Sequence, residues 1–77
     1  MKFNGEKIKE LRTQRNMSLF QVSVLMGSVC TPAVINKWER GQSTPTSNML
    51  GVMAHAFGVG VDYFFDHDYQ QRVNGGP

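Results

Sequence analysis

Apolar residues recur along the chain at helical spacing, and residues that start or stop helices bracket each recurrence. Ile8 and Leu11 share one face of a segment predicted helical from Gly5 to Arg15. Asn4 caps it, Glu6 sits in its first turn near the positive dipole end, and Asn16 can take the left-handed stop. Phe3 lies five residues ahead of Ile8, the spacing of a hydrophobic staple. Ser18 with Gln21 forms a capping box, and Met17 with Val22 a second staple around it. Val22, Leu25 and Met26 then make an i, i+3, i+4 stripe that ends at Gly27.

Thr31-Pro32 opens a third helix, since threonine caps and proline fits the first helical position, where its missing N–H costs nothing. Ile35 and Trp38 are its inward pair and Gly41 its stop. Thr46 caps a fourth helix whose buried side is Met49, Leu50, Met53, Ala54 and Phe57, closed by Gly58. Val61 to Phe65 reads as a short fifth helix started by Gly60. No β-alternation of useful length, internal repeat or low-complexity tract interrupts this all-α reading. A five-helix domain over residues 1–66 followed by a flexible polar tail at 67–77 is the expected organisation.

Seventy-seven residues suffice for one small domain, and 40% apolar with 18% charged residues is a globular composition. No apolar run approaches the ~18 residues of a membrane span, and no basic-then-apolar leader opens the chain. The single cysteine, Cys30, cannot form an internal disulfide, which makes a reducing cytoplasm the expected compartment. Net charge is +2 with unequal halves. Residues 1–40 carry seven basic against three acidic residues, net +4; residues 41–77 carry one against three, net −2. A basic front and an acidic back suit a protein that presents one end to phosphates.

The second and third helices are short and closely connected, and small Ser23, four residues before Gly27, lets a neighbouring helix cross near it. Ile35 and Trp38 anchor the third helix from beneath, leaving Pro32, Ala33, Asn36, Lys37 and Arg40 on its exposed face. A helix held this way has the width of the DNA major groove.

From Ile8 to Phe65 the chain resembles the lambda-repressor and Cro-like helix-turn-helix family, the XRE type. The resemblance rests on Ile8-Lys9-Glu10-Leu11-Arg12, Met17-Ser18, Gly27, Thr31, Ile35-Asn36-Lys37-Trp38-Glu39-Arg40-Gly41, Pro45 and Ala54-His55-Ala56-Phe57-Gly58-Val59. It implies a five-helix bundle that binds double-stranded operator DNA, commonly as a homodimer on an inverted repeat. It assigns base readout to Thr31, Pro32, Ala33, Asn36 and Lys37, and backbone contacts to Ser18, Gln21, Arg40, Gln42, Ser43 and Thr44. It also implies a structural ion pair between Arg12 and Glu39.

Three positions depart from the family pattern. Leu19 stands where glutamine is frequent at the start of the second helix, Ser28-Val29-Cys30 lengthens the connection before the third, and Pro32-Ala33-Val34 places apolar residues where polar readers are common. Proline and alanine offer apolar contact, for instance to thymine methyl groups, which leaves polar readout to Asn36 and Lys37.

The remaining candidates weigh less. Cys30 reads as a small buried hydrophobe beside Ile35, and with His55 and His67 it makes no zinc spacing. Asp62, Asp66 and Asp68 read as a solvated acidic end. Neither a catalytic set nor a cofactor motif is expected, so the chain is not read as an enzyme. Tyr63, Phe64, Phe65 and Tyr69 either cap the core, with Phe64 innermost, or form an aromatic dimer interface. The second functional reading is a protein-interaction or antitoxin-like module on the same fold.

Overall fold

The computed structural model describes residues 2–66. The order is β1 (Lys2–Phe3), α1 (Glu6–Gln14), α2 (Leu19–Leu25), α3 (Pro32–Glu39), α4 (Ser47–Phe57), a 3-10 turn (Val61–Phe64) and β2 (Phe65–Asp66). The expected start and stop residues act locally as their chemistry requires. Ser18, Thr31 and Thr46 each accept from the backbone N–H three residues on. Asn16 takes a left-handed φ of 54°, and Gly58 closes α4 at φ 72°. At the start of α1 the cap shifts by a residue: Gly5 holds the cap position, and Asn4 Oδ1 accepts from Glu6 N at 3.0 Å.

Among the described residues the expected five helices become four α-helices. The segment from Val61 is one 3-10 turn, because only four residues separate Gly60 from Phe65, which is already extended (φ −119°, ψ 142°). There the chain pairs antiparallel with β1, Lys2 opposite Asp66 and Phe3 opposite Phe65. Two-residue strands are too short to print an alternation in sequence. Asn4 N donates to Phe64 O at 2.7 Å and continues the tie.

The core joins Ile8 and Leu11 of α1, Val22 and Met26 of α2, Ile35 and Trp38 of α3, and Leu50, Met53, Ala54 and Phe57 of α4, closed by Phe64. Leu25 leaves the expected stripe and is 44% exposed. The inward face of α2 is Val22, Ser23 and Met26, which turns Leu25 to the flank. Among the described residues no helix is long and apolar enough to cross a membrane.

Candidate nucleic-acid interface

The entry to α2 is locked by a reciprocal pair: Gln21 N donates to Ser18 Oγ at 3.0 Å, and Ser18 N donates to Gln21 Oε1 at 2.8 Å. The Gln21 amide nitrogen is left as a donor on an exposed side chain. The long connection to α3 is accommodated by two consecutive left-handed residues, Gly27 (φ 79°) and Ser28 (φ 59°). Ser28 N returns to Ser23 O at 2.9 Å, and the buried Ser23 hydroxyl donates to Cys30 O. These bonds engage Ser28 N and Cys30 O and hold Cys30 next to the Thr31 cap of α3.

In α3, Ile35 and Trp38 point into the core, at 0% and 4% exposure. At about 100° per residue this turns Ala33, Lys37 and Arg40 to the opposite face, and all three are exposed. Asn36 lies on the flank, half-buried, beside a cleft between α1 and α3 that Glu6, Glu10, Thr13 and Arg40 also line. The Thr31 hydroxyl oxygen is engaged by Val34 N at 3.2 Å, and Pro32 is half-buried.

Glu39 would place a negative charge in this basic turn, but it faces inward. Arg12 Nε meets Glu39 Oε2 at 2.7 Å, and Arg12 Nη2 meets Oε1 at 3.1 Å. The Arg12 Nη1 group also donates to Met17 O at 3.1 Å, so one guanidinium joins α1, the entry to α2 and the last turn of α3. The Glu39 hydrogen bond pushes the Arg12 pKa up, against an opposing effect of burial. The outward face of α3 is therefore left with positive charge only.

Ser18, Gln21, Arg40, Gln42, Ser43 and Thr44 are all exposed, at the start of α2 and in the segment after α3. The aromatic end divides. Phe64 is fully buried and is removed from any surface by its place in the core. Phe65 is half-buried edge-on to Phe3 at 6.0 Å, and Tyr63 is half-buried with the Lys7 ammonium 5.5 Å from its ring. Tyr69, His67 and Asp68 lie outside the described residues. Cys30 is half-buried, with Sγ 3.8 Å from Met26 Sδ, and burial raises its thiol pKa. Sequence patterning missed Arg15, which donates to Leu11 O and Phe57 O and lies 5.3 Å over the Phe57 ring. Arginine at a surface helix end carries no signal of that reach.

A family profile described as helix-turn-helix matches residues 8–64. The chain belongs to that family, the XRE-type helix-turn-helix. Among solved structures it is similar to the crystal structure of the P22 c2 repressor protein in complex with synthetic operator 9T in the presence of Tl+. The TM-score is 0.75 with 21% identity, over 86% of this chain and 97% of that one, a likeness of fold. No curated protein sequence matches.

Proposed function

We propose that this chain is a non-enzymatic DNA-binding regulator that places α3 in the major groove of an operator. The observation that carries the reading is the outward face of α3: Ala33, Lys37 and Arg40 exposed on a helix anchored by Ile35 and Trp38, its one acid turned inward against Arg12. Family membership supports it, as does the operator bound to the P22 c2 repressor.

Lys37 is suited to guanine O6 and N7, Asn36 reaches adenine from the flank, and Pro32 and Ala33 pack against thymine methyl groups. Thr31 joins these readers at the helix start, and Ser18, Gln21, Arg40, Gln42, Ser43 and Thr44 hold the phosphates and set the register. Residues 1–66 are the binding domain, 67–77 an appended tail, and two copies occupy an inverted repeat in the cytoplasm.

The test is fluorescence anisotropy with random duplex DNA across a salt series, followed by selection of bound sites from a random pool. Counterion release predicts a linear fall of log affinity with log salt. Absence of binding even at low salt overturns the reading in favour of the interaction module.

A further inference from the structure

Two of the four helices, α2 and α4, carry no lysine, arginine, aspartate or glutamate. All formal charge from Asn16 to Asn36, and again from Gly41 to Val61, is missing from the sequence. On this neutral surface α2 leaves large apolar side chains in water: Phe20 is 66% exposed, Val24 53% and Leu25 44%. Leu25 also forms one wall of a groove of about 620 Å³, whose other wall is α4 at Gly51, Val52 and Ala56. A side chain added at Gly51 would meet nothing within 4 Å, so the floor of the groove is open.

We propose that this face joins two copies of the chain, the α2 ridge of each seating over the α4 floor of the other. Ridge and recess lie side by side on one molecule, which is the self-complementarity that a twofold interface requires. Helices crossing there meet no like charge, whereas the α1 and α3 faces would oppose lysines and arginines. The areas agree. Phe20, Val24 and Leu25 together expose on the order of 300 Å² of apolar surface. An interface burying about 1,000 Å² in total, with about three-fifths of it apolar, needs that amount from each partner. The contact runs along α2 from Phe20, beside Gln21, to Leu25, and uses none of Ala33, Lys37 or Arg40. It stands on observations separate from those behind the DNA reading.

The test is sedimentation equilibrium of the full chain without DNA, with folding of each variant checked by thermal melting. The wild type is expected to pass from its 8.7 kDa monomer to twice that mass over roughly 10–500 μM, in keeping with a small interface. Val24→Glu buries an unpaired charge in the contact and should shift the midpoint more than about tenfold. Gly51→Leu fills the groove from an unhindered position and should do the same while the fold holds. Tyr63→Ala, at the aromatic end, should leave association unchanged. A monomeric wild type, a dimer that survives both Val24→Glu and Gly51→Leu, or one abolished by Tyr63→Ala alone overturns the proposal.

Discussion

Gly5 lies directly against the backbone of Trp38. A methyl group at Gly5 would overlap the Trp38 carbonyl oxygen, with the Trp38 carbonyl carbon at 2.9 Å and Glu39 Cα at 3.2 Å. The start of α1 therefore touches the last turn of α3 with no side chain between them. Gly5→Ala should destabilise the fold by about 2–3 kcal/mol, because the obstacle is backbone and cannot rotate away. A lower urea midpoint at unchanged slope is the expected result. A loss within experimental error would show that the end of α3 shifts freely.

Arg12 and Glu39 hold the same two helices by charge. Glu39→Ala leaves the guanidinium with two unmet donors beside the core, and about 2 kcal/mol of stability should be lost. That is below the 3–5 of a fully buried pair because the Arg12 side chain is 16% exposed. The double variant Arg12→Met with Glu39→Leu should be more stable than Glu39→Ala alone, as urea unfolding of the set will measure. The raised Arg12 pKa puts this contribution in full below the ordinary arginine value, with loss only as pH climbs through the raised one. Stability should thus show no Arg12-dependent fall between neutrality and mild alkali.

Gly51 costs α4 stability for no local reason, since no atom occupies the space beside it. Gly51→Ala should stabilise the chain by about 0.5–1 kcal/mol and raise Tm by about 3–6 °C. Calorimetry in dilute solution checks it; an unchanged or lower Tm would mean that the helix needs the glycine.

Lys37 and Arg40 share a face but differ in proposed role, and DNA binding should separate them. Lys37→Ala should cost about 1–3 kcal/mol at the preferred site and relax discrimination there. Arg40→Ala should weaken all duplexes alike and reduce the salt slope by about one. Competition titrations at two salt concentrations distinguish the outcomes, and identical profiles would refute the division.

Burial raises the Cys30 thiol pKa above its ordinary 9.0. The unfolded chain gives up this proton first, so the contribution is complete below pH 9.0 and lost as pH rises through the folded value. The alkylation rate should reach half-maximum above pH 9.0, and Cys30→Ala should remove the corresponding part of any alkaline loss of stability. A midpoint at or below 9.0 would show a thiol open to solvent.

The helix starts were legible because capping is local. Ser18 with Gln21, Thr31 with Val34 and Thr46 with Met49 act within one turn, so spacing in sequence is spacing in space. The inward pair Ile35 and Trp38 was legible for the same reason, and with it most of the outward face of α3. Asn36 and Leu25 were misjudged because period alone leaves residues at the edge of a stripe undecided. Packing of α1 beside α3 moved the first to the flank, and the inward turn of Ser23 moved the second.

The sequence alone thus determined where the helices begin, which residues face inward from the middle of each, and the family to which the arrangement belongs. Tertiary structure decided what depends on contacts between distant segments. The antiparallel tie of Phe3 to Phe65 replaced a fifth helix, Gly5 met Trp38, and α2 was left with a bare apolar face. Hydrogen bonds and periodicity within a turn are short-range and written in neighbouring residues. Burial is a property of what packs opposite, and no local window contains its partner.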